Sequence, residues 1–259
     1  MINNTSPLRY PGGKTRARKK LDEIFNDNFN PTNFNVIASP FIGGGSFEFY
    51  MQGKYNYNII ANDLFTPLCT FWSCLKHNKN DLVVKSQQYL NPSKEDFNHY
   101  KNTINDGSDI DRAAKYFVLN RSSFSGATLS GGYSKQAAMN RFTQSSITRL
   151  SKVNLSNMEI YNLDFEDFLN QLNGTEFIFL DPPYHISSNL YGKNGDLHED
   201  FDHERLHRVI STKSNWIMTY NNDEYIKNLY SDYTIIETSW SYGMNKSKKS
   251  SEIIIVNVN

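Results

Sequence analysis

Cysteine is nearly absent from this chain of 259 residues, with Cys69 and Cys74 the two present. Two thiols so sparsely placed exclude a disulfide framework, and a reducing compartment such as the cytosol is expected. Long apolar runs are missing as well. No stretch approaches the roughly 20 residues needed to cross a bilayer, and the N-terminus lacks the basic-then-apolar pattern of a signal peptide. Net charge is also lacking, with 27 basic residues against 27 acidic ones. The 17 Phe and 16 Tyr exclude wholesale disorder, and the length suits one good-sized domain, or one domain with a substantial insertion.

A more local absence is more informative. From Arg112 to Met158 there is no Asp or Glu, while Arg112, Lys115, Arg121, Lys135, Arg141, Arg149 and Lys152 all fall inside that window. Arg9, Lys14, Arg16, Arg18, Lys19 and Lys20 form a second basic cluster, and acids concentrate between Glu159 and Glu204. Two basic clusters with aromatics between them point to a face that binds a polyanion.

Two nucleotide-binding patterns are incomplete. LRYPGGKT (8–15) ends like a P-loop, but Leu8 stands where the first glycine belongs and no buried strand precedes it. The G-x-G-x-x-G dinucleotide fingerprint is likewise unmatched, so NAD is not the preferred cofactor.

The patterning that is present reads as α/β. FNVIASPF (34–41) and YNIIANDL (57–64) are short apolar strands flanking a helical GSFEFYMQ, which together make a βαβ unit. Residues 64–90 and 93–120 have helical spacing, with Ser93 and Glu95-Asp96 marking a helix start, and RSSFSGATLSGGYSKQ is a long loop by composition. Strand-like runs resume at 158–163, 176–184, 215–221, 233–240 and 252–258. Helical segments at 166–172, 202–211 and 223–230 alternate with them. A parallel sheet interrupted by an inserted, mostly helical domain is the economical architecture.

Chemistry concentrates at two strand ends. FIFLDPPY places Asp181, Pro182, Pro183 and Tyr184 just beyond a buried strand, where ligands bind in open α/β sheets. The prolines donate no hydrogen bond, so the Pro182 carbonyl and the Asp181 carboxylate offer acceptors beside a stacking ring, a set suited to a planar aromatic amine. SPFIGGGSF follows the first strand, and Asp63 follows the second, placed to accept ribose hydroxyls; the combination points to an adenosine-containing cofactor. A third match, HERLH (203–207) with His198 nearby, satisfies the H-E-x-x-H zinc pattern. The segment is highly charged, and an exposed helix start capped by Asp202 is the preferred reading, with no metal expected.

With Y-P-G-G-K near the N-terminus, F-x-G-G-G-S, a basic helical middle and then DPPY, the chain resembles the Dam-type, alpha-ordered adenine-N6 DNA methyltransferases. NRSSFSG (120–126), the R-F…S-x-I-x-R-L pattern at 141–150, Asp164-Phe165 and SYGMN (241–245) extend the likeness from about residue 7 to the C-terminus. The resemblance implies a Rossmann-like S-adenosylmethionine-dependent sheet with an inserted target-recognition domain. Its expected division is 1–74 and 158–259 for the catalytic part and 75–157 for the helical insert. Tyr10, Gly12, Gly13, Lys14, Phe41, Gly43, Gly44, Gly45, Asp63, Asp164, Phe165 and Asp181 match cofactor positions, and Asp181 to Tyr184 match the catalytic motif. Arg9 matches a position next to the cofactor site from which a target base is reached, and Arg121, Ser123, Lys135, Asn140 and Arg141 are further candidates for DNA contact. One position departs from the pattern: the residue before Pro40 is usually Glu or Asp in this family and is Ser39 here, which leaves open how the methionine amino group is held.

The implied activity is methyl transfer to N6 of a flipped-out adenine in double-stranded DNA, as in restriction-modification systems, by a cytoplasmic monomer or weak dimer of bacterial or viral origin. Cytosine N4 presents a similar amine and remains an alternative acceptor, and a DNA-binding relative without turnover is the other.

Overall fold

The computed structural model describes residues 5–185, 201–241 and 249–258. Seven strands form one sheet: β1 (Val36–Ser39), β2 (Asn58–Asn62), β3 (Met158–Tyr161), β4 (Phe177–Leu180), β5 (Trp216–Asn221), β6 (Thr234–Ser241) and β7 (Lys249–Asn257). Their spatial order is β3-β2-β1-β4-β5-β7-β6. The first five are mutually parallel, with Ile37 opposite both Ile59 and Phe177, whereas β7 runs antiparallel to β5 and β6. The chain winds outward from β1 to β3 and then returns to β4 on the other side of β1. The crevice between the carboxyl ends of β1 and β4 is therefore the topological switch point, where such sheets bind ligands.

Strand alternation sorts the core into two layers. Ile37, Phe177, Phe179 and Ile217 point to one face and pack with Leu21, Ile24 and Phe25 of α1 (Arg18–Asn28) and Phe47 of α2 (Ser46–Tyr55). Ala38, Ile178, Leu180 and Met218 point to the other, against α9 (Phe165–Gln171), α10 (His203–Ile210) and α11 (Glu224–Leu229). Helix α1 is an addition to the expected elements. Its apolar residues do recur at helical spacing, but its N-cap is Ala17 with no side-chain cap, so no start signal marks it.

Six helices lie between β2 and β3: α3 (Thr66–His77), α4 (Lys79–Gln88), α5 (Lys94–Asn102), α6 (Asp109–Ser122), α7 (Lys135–Arg141) and α8 (Gln144–Lys152). Ser93 and Ser108 each close a capping box at the start of α5 and α6. Helix α6 is the hub. Its residues from Ala113 to Asn120 are buried, and α3, α4, α5 and α7 pack around it. Helix α3 also packs on β3, so it belongs to the sheet and the helical layer alike. Among the described residues, no helix is long and apolar enough to cross a membrane.

At HERLH, Asp202 caps the helix as expected, accepting from the Arg205 N–H at 2.8 Å. The exposed reading needs correction for His203, which is buried and bonded through Nδ1 to the Tyr220 hydroxyl at 2.7 Å. Burial of one ring beneath a charged surface escapes a composition-based reading. His198 and residues 242–245 of SYGMN lie outside the described residues.

Candidate active site

Two loops at the switch point meet an N-terminal segment. After β1, Gly43 and Gly45 adopt positive φ of 46° and 65°, and the Tyr10 ring lies directly on the turn. A Cβ at Gly43 would stand 2.8 Å from Tyr10 Cε1, and one at Gly44 would stand 2.8 Å from Tyr10 Cβ. Only glycine permits that approach. Trp72 of α3 holds the loop from behind, donating to the Gly43 carbonyl at 3.2 Å. Asn62, the buried last residue of β2, donates to the carbonyls of Pro40 and Leu163 at 3.1 and 3.0 Å, tying three strand ends together.

Asp63 follows Asn62 and receives the N–H groups of Gly43 and Phe65 at 3.1 and 3.0 Å. Burial raises its carboxyl to about 6 against the opposing effect of these two donors. On the other side of the crevice Phe41, Phe165 and Phe201 form a trio with ring centroids 5.6 to 5.9 Å apart. The Arg205 guanidinium covers Phe165 at 4.3 Å and bonds to Asp164 at 2.5 Å. Asp164 also caps α9 through the Glu166 N–H, so its carboxylate secures Phe165.

These surroundings fit S-adenosylmethionine. The glycine turn would admit a chain close to the backbone, Asp63 would accept ribose hydroxyls, and the phenylalanine trio would supply an apolar wall for a purine. Gly12 and Gly13 belong to the turn beneath Tyr10, closed by the Gly13 N–H on the Tyr10 carbonyl at 3.1 Å.

Beyond β4, the Asp181 carboxylate is held from two directions. Lys14 Nζ donates to both of its oxygens at 2.6 and 2.7 Å, and the Thr219 hydroxyl donates to Oδ1 at 2.7 Å. Lys14 is buried and lies 5.1 Å from the centre of the Tyr184 ring. The Tyr184 hydroxyl donates to the buried Glu252 of β7 at 2.7 Å. Among the described residues no donor reaches the Pro182 carbonyl. The Asp181 carboxylate and a fixed aromatic face thus flank a slot holding an ammonium group.

The helical layer contributes basic charge. Asn120 of α6 accepts the Arg9 N–H at 2.9 Å and donates to the Arg9 carbonyl at 2.7 Å. Gly126 packs so closely that a Cβ there would lie 2.6 Å from the Arg9 carbonyl oxygen. Arg9, Arg121, Arg141 and Arg149 group together without an ion pair among the described residues. Burial, then Arg9, Arg149 and Arg141, lower Arg121 to about 10. Arg121 donates to the carbonyls of Arg141 and Pro7, so it also braces the segment. Lys135 and Asn140 are exposed on α7.

Ser123 departs from the expected DNA contact. It is fully buried, and its hydroxyl donates to the Asn120 carbonyl and accepts the Thr128 N–H, which builds the loop from within. Beside it Phe124 is 64% exposed and Met139 on α7 is 65% exposed. Thr219, Glu252, Phe201, Asn120 and Arg149 join the site without being expected there from sequence. Of these, Asn120 and Arg149 carry a local signal, Asn120 as the first residue of NRSSFSG and Arg149 within the 141–150 pattern and the acid-free basic stretch.

Residues 10–244 match the family model of D12 class N6 adenine-specific DNA methyltransferases. Type II methyltransferase M1.LlaDCHI of Lactococcus lactis subsp. cremoris is 24% identical, with 99% of this chain and 96% of that relative covered. Type II methyltransferase M.MjaIII of Methanocaldococcus jannaschii is 24% identical over 68% of each chain. M.CviBI of Paramecium bursaria Chlorella virus NC1A is 22% identical over 95% of each. With a Rossmann-like sheet, a crevice that fits S-adenosylmethionine and a family match across nearly its whole length, the chain belongs to the D12 class N6 adenine-specific DNA methyltransferases.

Proposed function

We propose that the slot between Asp181, the Pro182 carbonyl and Tyr184 receives an adenine flipped out of duplex DNA, and that the basic helical layer, about 75–157, holds that duplex. The carrying observation is the Lys14 ammonium seated in the slot. A nitrogen that donates hydrogens to Asp181 beside the Tyr184 ring is what the N6 amine of adenine also presents.

The exocyclic amine of adenine is a weak nucleophile, because its lone pair is delocalised into the ring, and it is unreachable inside a stacked duplex. S-adenosylmethionine supplies an electrophilic methyl group on a sulfonium. Asp181 and the Pro182 carbonyl accept the two N6 hydrogens and draw the nitrogen towards a tetrahedral shape, which localises its lone pair. Tyr184 stacks on the base, its tilt fixed by the bond to Glu252. Thr219 holds Asp181 in place when Lys14 withdraws. The help is positioning and electrostatics; Asp181 need not be a strong base, because the N6 proton is lost as positive charge develops on nitrogen.

Arg9, Arg121, Arg141 and Arg149, with Lys135, present unneutralised positive charge suited to phosphates, and the exposed Asn140 adds a neutral hydrogen-bonding amide. Phe124 and Met139 stand on the same layer, where an exposed apolar side chain serves as a wedge between base steps. Cytosine N4 is set aside by the family match. We place the enzyme in the cytoplasm, acting as a monomer or weak dimer. The test is digestion of methylated plasmid to nucleosides: N6-methyldeoxyadenosine is expected, and N4-methyldeoxycytidine would overturn the assignment. Loss of tritiated methyl incorporation in Asp181→Ala tests the slot.

A further inference from the structure

Glu48 is a buried acid without an ion-pair partner among the described residues. It stands in the first turn of α2, three residues beyond Gly45, and is 2% exposed. The Ser39 hydroxyl donates to its Oε1 at 2.8 Å, and Ser39, the last residue of β1, is itself fully buried. The nearby ammonium of Lys14 is committed to Asp181. A carboxylate left in that condition is costly, and such groups persist mainly where a ligand completes them.

Its location narrows the ligand. Glu48 stands in the first turn after the glycine loop, bonded to the carboxyl end of β1 and within electrostatic reach of Lys14 and Asp181. Of the polar groups of S-adenosylmethionine, the α-ammonium alone is a hydrogen-bonding cation. Ser39 closes the carboxyl end of β1, and its hydroxyl bonds directly to Glu48.

We propose that Glu48, oriented by Ser39, is the anionic receptor for the cofactor's α-ammonium, supplied from the first turn of α2. This rests on the S-adenosylmethionine site assigned above. Burial, ahead of all other influences, holds the empty carboxyl at about 7, with Asp181 adding to the rise and its own backbone N–H, Ser39 and Lys14 opposing it. The free protein thus keeps the acid largely protonated below neutrality, and an incoming ammonium draws the proton off.

The test compares two ligands by calorimetry on the full chain: S-adenosylhomocysteine, which carries the ammonium, and 5′-methylthioadenosine, which lacks the amino-acid end. Glu48→Gln should weaken the first about 10- to 100-fold, as for loss of a charge-assisted bond in a buried site, and leave the second within about twofold. Ser39→Glu in the Glu48→Gln background should restore much of the loss. Equal weakening of both ligands, or no weakening of either, overturns the proposal. The unsubstituted protein gives an independent reading. The ratio of the two affinities should fall up to about tenfold per unit below pH 7. Asp63, also raised by burial, affects both ligands alike through the ribose and cancels in that ratio. A flat ratio between about pH 5.5 and 8 overturns the proposal even if the variants do not fold. Failure of the unsubstituted protein to bind either ligand would instead count against the cofactor site itself.

Discussion

The Lys14 ammonium caps both oxygens of the Asp181 carboxylate, at 2.6 and 2.7 Å, while lying 5.1 Å from the centre of the Tyr184 ring. The resting protein therefore holds the Asp181 carboxylate behind a cation of its own. An adenine amine must displace that cation, and Lys14 then has only the Gly12 carbonyl, at 2.9 Å, among its present hydrogen-bond acceptors.

Removing one member of this pair should cost more than removing both. Lys14→Met strands the carboxylate in a half-buried site and is expected to lower unfolding free energy by about 1–3 kcal/mol, discounted from the fully buried case because Asp181 is 23% exposed. Lys14→Met with Asp181→Asn should recover most of that loss. Urea unfolding followed by circular dichroism measures both, and equal stability of the two variants would count against a stabilising pair.

Asp181→Asn is expected to reduce single-turnover methyl transfer about 100- to 1,000-fold, the scale for losing a preorganised electrostatic interaction. Thr219→Val removes the second hold on Asp181 and should cost about tenfold in the same step. Normal turnover by Thr219→Val would show that this hydroxyl is not needed to hold Asp181 once Lys14 is displaced.

Glu252 reaches Tyr184 across the sheet, and the bond it accepts fixes the tilt of the stacking ring. Glu252→Gln keeps an acceptor and should retain most activity. Glu252→Leu should lower kcat/KM about tenfold. Fluorescence of 2-aminopurine at the target position would show whether the flipped base is less firmly held.

These partners show where local pattern stops being informative. The DPPY stretch, the glycine turn and Asp63 are legible because each follows its strand within a few residues, and strand alternation is written into the sequence. Thr219 and Glu252 join Asp181 and Tyr184 only through the order β4-β5-β7, in which β7 comes last in the chain and runs antiparallel. A Thr inside WIMTYN and a Glu before IIIV carry no mark of that neighbourhood. The Ser-Gly loop is legible as a long connection, yet Ser123 turns inward and Phe124 outward, because packing against Asn120 and Thr128 decides the facing and composition does not.

The arginine group should be readable through salt. Arg149 is exposed and Arg9 partly so. Each Arg→Ala change is expected to reduce the slope of log affinity against log salt concentration by about 0.9 for every phosphate that the guanidinium neutralises. Fluorescence anisotropy of a labelled duplex over a salt series measures the slope. An unchanged slope would place these two guanidiniums off the phosphate backbone.

Glu48 and pH form a further pair of observables. A carboxyl raised from an ordinary value near 4.5 to about 7 favours the folded state below the unfolded pKa and loses that advantage as pH rises through 7. Glu48→Gln should therefore gain stability over the parent as pH climbs, approaching about 3 kcal/mol at pH 8, and match it near pH 4. Parallel thermal melts across that range would show the two curves diverging upward. Curves that keep a constant separation would mean that the buried acid does not titrate.

The paired hydrogen bonds that Asn120 makes to Arg9 have a consequence for chain length. Arg9 and Tyr10 are neighbours on one segment, yet the first serves the arginine group and the second lies on the glycine turn. Both addresses are set by a single register, locked by one asparagine and by the clearance at Gly126. An inserted or deleted residue here would misdirect both at once, turning a guanidinium towards the cofactor crevice and a phenol ring towards the helices. On the proposed reading the segment would act as a ruler that keeps contact with DNA and contact with cofactor in step.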